Sequence, residues 1–215
     1  MYDAVTVIVT NFQTPDILGT AVHSFREFYP NVQMLIVDNG SKDGSRKKIE
    51  ELQARDNNTA ALFIEKNIFH GPAMHRAMHE VKTDFAFFLD SDTETHRGEF
   101  LEVMVKKIEE EKKLYAIGRL NHVNKRGFPS ESGTPVVQSP YMMLRRELYL
   151  LFPQFEHHGM PTLKNFSAAQ QCGYFVHDFP VQDYIAHRGR GTASRFGYGL
   201  GMRGKIDYLL NKVGL

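Results

Sequence analysis

Hydrophobic residues follow two rhythms along the first half of the chain. Short runs rich in β-branched and aromatic residues predict strands at Val5 to Thr10 (VTVIVT), Gln33 to Asp38 (QMLIVD), Ala60 to Ile64 (AALFI) and Phe85 to Leu89 (FAFFL). Between them apolar residues recur at helical spacing. The first such stretch starts near Thr14-Pro15-Asp16, proline being tolerated in a first helical turn, and runs through Ile17, Leu18, Ala21, Val22 and Phe25. A second follows Ser41 to Ser45 and carries Ile49 and Leu52 among charges. A third opens at Gly71-Pro72 and turns Ala73, Ala77, Met78 and Val81 inward, and a fourth covers Glu99 to Glu111. Four strand–helix units in succession predict a doubly wound, mostly parallel α/β core.

Beyond a further strand at Leu114 to Leu120 the rhythm degrades. Asn121 to Pro140 is rich in Gly, Pro, Ser and Asn and reads as a loop of the kind that forms lids or binding loops. Glu147 to Phe152 and Asn165 to Cys172 are expected as short helices. Phe179 to Ala186 (FPVQDYIA) is expected as a strand flanked by Asp178 and Asp183 as solvated ends. Gly199 to Leu215 has a modest amphipathic pattern, suited to a helix packed on the core or docked at a membrane surface. A length of 215 residues suffices for one domain with a full core.

Charge and cysteine usage narrow the partners. Lys and Arg number 26 against 25 for Asp and Glu, so the chain lacks the broad basic field that nucleic acid requires. The single cysteine, Cys172, rules out an internal disulfide framework and fits a reducing compartment, with the cytoplasm expected. No apolar run reaches the roughly 18 residues of a spanning helix, and MYDAVTVIVTNF lacks the pattern of a signal peptide.

Polar clusters follow the predicted strands. Thr10-Asn11-Phe12 follows the first, Asp38-Asn39-Gly40-Ser41 the second and Asp90-Ser91-Asp92 the fourth. In open α/β sheets ligands bind beyond the carboxyl ends of the strands, where all three clusters would meet. Two acids directly after the buried run Phe87-Phe88-Leu89 repel one another and are costly to desolvate, so a compensating charge is expected. Carboxylate oxygens in an Asp-x-Asp element suit Mg²⁺ or Mn²⁺, which keep positions open for phosphate and water. The stretch Asn39 to Gly44 doubles as ordinary turn chemistry before a helix.

Taken in order and spacing, IVTNFQTPDIL, VDNGSKDGS, KNIFHGPAMHRAM and FLDSDTE resemble the nucleotide-sugar-binding half of a family 2 glycosyltransferase with the GT-A fold. The likeness covers about the first 100 residues and extends through SPYMMLRRELY and QCGYFVHDFPV. It implies one GT-A-like domain over residues 1–215, with a Rossmann-like donor half (1–97), a less regular acceptor half (98–198) and a C-terminal helix (199–215). By that resemblance Thr10, Asn11 and Asp38 hold the base and ribose of a nucleoside diphosphate. Asn67 and Gly71 line the nucleotide pocket, Gly71 opening a helix whose amides face it. Asp90 and Ser91 lie near the ribose and metal, and Asp92 ligates Mn²⁺ or Mg²⁺. HRGRGTASR (187–195) is similar to a late segment that brings a histidine, His187, to the metal and basic residues, Arg190 among them, to the diphosphate. Inverting relatives place a Glu-Asp pair about a dozen residues before a Gly-Tyr dipeptide. Gly173-Tyr174 is present, but counting back reaches Pro161-Thr162 in FEHHGMPTLKN. Candidates for the base are Glu156, His157 and His158, with Glu156 favoured and His158 beside it.

The implied activity is transfer of a sugar from a nucleoside-diphosphate donor to a hydroxyl of a glycan or lipid-linked acceptor, in polysaccharide biosynthesis, with peripheral membrane contact through the C-terminal helix. A silent nucleotide-sugar or glycan binding module of the same fold is the alternative, supported by the absent Glu-Asp pair. A nucleotidyltransferase would open with a glycine-rich, basic phosphate loop after its first strand, which TNFQTPD lacks.

Overall fold

The computed structural model describes residues 2–156 and 160–189. After a 3-10 turn at Tyr2–Ala4, strands and helices alternate: β1 (Val5–Asn11), α1 (Pro15–Phe28), β2 (Gln33–Asn39), α2 (Ser45–Arg55), β3 (Thr59–Ile64), α3 (His70–Glu80) and β4 (Phe85–Asp90). There follow β5 (Thr93–Thr95), α4 (Phe100–Glu110), β6 (Leu114–Val123), β7 (Thr134–Arg145), α5 (Arg146–Tyr149), α6 (Leu163–Gln171), β8 (Phe175–Asp178) and β9 (Ile185–His187). The four strand–helix units expected from the first half are present.

Seven strands form one sheet in the order β3-β2-β1-β4-β7-β6-β8. β7 pairs antiparallel with both β4 and β6, whereas β1, β2, β3 and β4 pair in parallel with one another, as does β6 with β8. The sheet is thus the mostly parallel α/β platform that the periodicity implies. Alternation along each strand sorts side chains to two faces. Val5, Val7, Val9, Met34, Ile36, Phe85 and Phe87 pack with α1, α2 and α4 on one side. Ile8, Leu35, Val37, Ala86 and Phe88 pack with α3, Phe155 and Phe166 on the other. Both faces being covered explains why these strands read as continuous apolar runs.

Two expectations are corrected. The stretch Asn121 to Pro140 is loop only in its middle: β6 continues to Val123 and β7 starts at Thr134, with Leu120 opposite Val137 and Asn121 opposite Val136. Val136 and Val137 are buried, and that cross-strand packing overrides a composition suited to loops. The tip is closed by Asn124, whose Oδ1 accepts the amides of Arg126 and Phe128. The second correction concerns Phe179 to Ala186, which holds a 3-10 turn at Val181–Asp183 before the short strand β9. Asp178 is exposed, yet its Oδ1 accepts the Leu120 amide at 2.8 Å. Among the described residues no helix is long and apolar enough to cross a membrane. The amphipathic stretch 199–215 lies outside the described residues.

Candidate functional site

Parallel pairing sets the ends of β1, β2 and β4 side by side, with Asn11 opposite Asp38 and Thr10 opposite Asp90. The polar clusters after these strands therefore meet at one edge of the sheet. Two poles can be distinguished there.

At the first pole Asp38 is buried and held by its neighbours. Asn11 Nδ2 donates to Asp38 Oδ1 at 3.2 Å and Ser41 Oγ donates to the same oxygen at 2.5 Å. Ser41 Oγ in turn accepts the Gln13 amide at 2.9 Å. Thr14 Oγ1 donates to Asn11 Oδ1 at 2.8 Å and lies 3.1 Å from Ser91 Oγ. With the threonine proton spent on Asn11, Ser91 is the donor of that contact. The network ties the three strand ends together in a partly water-free setting, where each bond left unmade would be costly. Gly40 closes the turn at φ 78°, and a Cβ there would stand 2.3 Å from the carbonyl carbon of Lys66.

Asp90, Asp92 and His187 form the second pole, their ligand atoms all within 4.8 Å of one another. β9 pairs antiparallel with β5, setting Thr93 opposite His187, so a two-stranded ribbon delivers the histidine to the acids. His187 Nε2 lies 3.3 Å from Asp92 Oδ1, and the Arg188 amide donates to the Asp92 carbonyl at 2.8 Å. The Gly189 amide donates to His187 Nδ1 at 3.2 Å, which helps to fix the ring beside Asp92. Thr93 Oγ1 donates to the Asp90 carbonyl at 2.7 Å, fixing the turn between the acids.

His70, the first residue of α3, brings its Nε2 to 3.9 Å from Asp90 Oδ1. Burial raises the Asp90 carboxyl above the usual carboxylate range; His70 and His187 oppose that shift and Asp92 adds to it. Tyr141, opposite Leu89 on β7, packs its ring edge-on to His187 at 6.1 Å between centroids. Its hydroxyl is pushed up to about 12, first by burial and then by the negative Asp90 and Asp92, with Arg119 opposing. Two clustered carboxylates and an imidazole are a hard, mixed oxygen and nitrogen donor set. That set fits Mn²⁺ or Mg²⁺, and a cation there would relieve the repulsion that burial makes costly.

The remaining expected residues divide. Thr10 is half-buried at the end of β1 and Ser91 is spent on Thr14. Asn67 is exposed; its Oδ1 accepts the Phe69 amide at 2.8 Å and Asn39 Nδ2 at 3.2 Å. Gly71 is buried within the first turn of α3, which starts one residue earlier than the Gly-Pro pair suggests. A Cβ on Gly71 would lie 1.7 Å from the Glu156 carbonyl oxygen, so this glycine lets the segment after Phe155 lie against the helix. Glu156 is exposed and its carboxylate pairs with Lys164 at 3.0 Å. His157, His158 and Arg190 lie outside the described residues.

The sequence reading missed His70 and Tyr141 as site residues, gave Thr14 only a place at a helix start, and counted Asn39 in the second polar cluster without a task of its own. His70 and Tyr141 reach the acids through tertiary packing alone.

Residues 6–173 match the profile of glycosyl transferase family 2. Two curated relatives align over the same fraction of the chain. A putative teichuronic acid biosynthesis glycosyltransferase, TuaG of Bacillus subtilis, is 29% identical over 89 residues, which are 41% of this chain and 35% of that protein. A teichoic acid poly(glycerol phosphate) polymerase of Staphylococcus epidermidis is 30% identical over 91 residues, 41% of this chain and 13% of that protein. This chain therefore corresponds to a minor part of each. Among solved structures, the mannosyltransferase PcManGT of Pyrobaculum calidifontis, in complex with GDP-Man and Mn²⁺, superposes with TM-score 0.68 at 16% identity, covering 82% of this chain and 55% of that one. Residues 1–349 of S. aureus TarS with UDP-GlcNAc give TM-score 0.62 at 18% identity, covering 87% and 61%. These likenesses establish the shared GT-A fold.

Proposed function

The chain belongs to glycosyl transferase family 2, and on that premise we propose that it is a metal-dependent, inverting glycosyltransferase. It moves a sugar from a nucleoside-diphosphate donor to a hydroxyl of a glycan or lipid-linked acceptor. The observation that carries this reading is the cluster of Asp90, Asp92 and His187 beside the Asp38 network at one sheet edge. In this reading residues 1–97 bind the donor and 98–198 shape the acceptor side.

Each residue has a distinct task. Asp38 and Asn11, with Thr10 and Asn67 nearby, receive the base and ribose, and their mutual hydrogen bonds fix them before the donor arrives. Such preorganisation lowers the ordering cost of binding. Asp92 and His187 hold Mn²⁺ or Mg²⁺, with Asp90 at its edge. When bound, the cation supplies Lewis-acid stabilisation of charge on the departing diphosphate. His70 stands beside Asp90, and its imidazole can donate a hydrogen bond to a diphosphate oxygen. Arg190 is proposed as a further diphosphate contact. An acceptor hydroxyl must lose its proton as the glycosidic bond forms, and Glu156 is proposed as the carboxylate that takes it, with His158 adjacent in sequence. The likeness to a teichuronic acid biosynthesis glycosyltransferase and to a teichoic acid polymerase supports a polymeric glycan acceptor.

A second reading, a binding module without turnover, draws on the Glu156 to Lys164 ion pair, which engages the proposed base. Calorimetry with a panel of nucleoside diphosphates, with and without Mn²⁺, tests the main reading: metal-dependent binding is expected, and no binding of any nucleotide ends it. Release of free nucleoside diphosphate from a nucleotide sugar in the presence of glycan acceptors separates the transferase from the silent module.

A further inference from the structure

Phe69 adopts φ 70° and ψ 166°, a region that residues with a Cβ essentially avoid and glycine tolerates. A phenylalanine there stores strain, and the surroundings must hold it in place. Asn39 does so from the end of β2: its Nδ2 donates to the Phe69 carbonyl at 3.2 Å and its Oδ1 accepts the Ile68 amide at 3.0 Å. Asn67 Oδ1 accepts the Phe69 amide at 2.8 Å, completing the clamp. Asn39 is buried, so these bonds stand where their loss would be felt. The strain does not serve the core, because Phe69 is 52% exposed. Its neighbours place it at the crevice: Asn39 follows Asp38, and His70 faces Asp90.

A large apolar side chain is thus held in an unfavourable backbone state and left more than half exposed, next to residues that belong to each of the two poles. We infer that Phe69 is a stacking platform for the nucleobase of the donor, with Asn39 as the positioning residue that sets its backbone. The base is the occupant because the clamp grows from the Asp38 side, where the base is assigned; this rests on the functional reading above. Base–aromatic stacking is tolerant of base identity and is worth a tenfold or greater gain in affinity. The platform would strengthen nucleotide binding without selecting one base by hydrogen bonds.

The test uses the full chain with Mn²⁺ and two ligands, a nucleoside diphosphate and inorganic pyrophosphate. Phe69→Gly is expected to melt at a higher temperature than the parent, because the strain is gone. It is expected to bind the nucleoside diphosphate about tenfold more weakly while pyrophosphate affinity stays unchanged. The sequence contains no tryptophan, so Phe69→Trp carries a sole indole whose fluorescence is expected to be quenched by the nucleotide and not by pyrophosphate. Equal nucleotide affinity in parent and Phe69→Gly, or an indole indifferent to nucleotide, overturns the inference while leaving the transferase reading intact. Unchanged nucleotide affinity with a raised acceptor KM assigns the ring to the acceptor and likewise overturns it. If the parent itself binds no nucleotide, the functional reading has failed and the platform falls with it.

Discussion

Asp38 and Asp90 end neighbouring regions of one parallel sheet, yet the fold treats them in opposite ways. Asp38 is surrounded by donors that belong to the chain, Asn11 and Ser41 directly and Thr14 through Asn11. Asp90 is faced by a second carboxylate and by two histidines whose charge depends on protonation, and burial makes its ionised form unfavourable. The first arrangement completes itself and is a rigid wall. The second gathers ligand atoms within 4.8 Å of one another that a cation could bridge. The contrast teaches that a buried acid at a strand end is not by itself a metal site; what distinguishes the two is whether the chain supplies the compensating donors.

The largest effect is expected at the second pole. Asp92→Ala should lower nucleoside-diphosphate release from the donor by at least about a hundredfold and abolish Mn²⁺ binding followed by electron paramagnetic resonance. Normal turnover by this variant would remove the second pole from the chemistry. At the first pole Asp38→Ala leaves the Asn11 and Ser41 donors without their acceptor, so urea unfolding should show a loss of roughly 2 kcal/mol. Asp90→Asn should do the reverse in metal-free protein, raising stability by about 1 kcal/mol as one of two like charges goes. The same variant should lose the rise in melting temperature that Mn²⁺ gives the parent. If Asp38→Ala and Asp90→Asn moved stability in the same direction, the distinction between the poles would be wrong.

The smallest effect is a control at the opposite edge of the sheet, where Arg26 pairs with Asp56 at 2.7 Å. Burial works against ionised Asp56, but hydrogen bonds from Thr59 and Asn58 together with the Arg26 guanidinium outweigh it and hold the carboxyl below its usual range. Burial likewise lowers Arg26, opposed by Asp56, and a guanidinium keeps its charge at neutral pH regardless. With the folded value depressed, the stabilisation is present above the unfolded value of about 3.9 and is lost as pH falls through the folded one. Asp56→Asn should therefore cost at most about 1 kcal/mol at pH 7, and its urea midpoint should approach that of the parent as pH falls below the usual carboxylate range.

Legibility differed between the halves of the chain for a physical reason. In β1 to β4 the apolar period, the flanking polar clusters and the helical spacing all speak of the same local structure, so Asp38, Asp90 and Asp92 were placed correctly at one edge. In β6 and β7 a run of Gly, Pro and Ser was read as loop because its composition hides the apolar alternation of a hairpin whose arms pair with each other, Asn121 with Val136 and Val123 with Thr134. The segment after Phe155 showed its place only through Gly71, whose missing side chain admits the Glu156 carbonyl.

By itself the sequence determined the alternation of the first four strands with their helices, and it determined that acids would emerge where buried strands stop, because alternation and helical spacing are properties of consecutive residues. Tertiary structure alone decided which acid receives a partner from the chain. Pairing of β9 with β5 carries His187 to Asp92, α3 starts at the point that lends His70 to Asp90, and Asn39 reaches across to hold Phe69 in its strained turn. Each of these depends on contacts between residues far apart along the chain, and no local period encodes them.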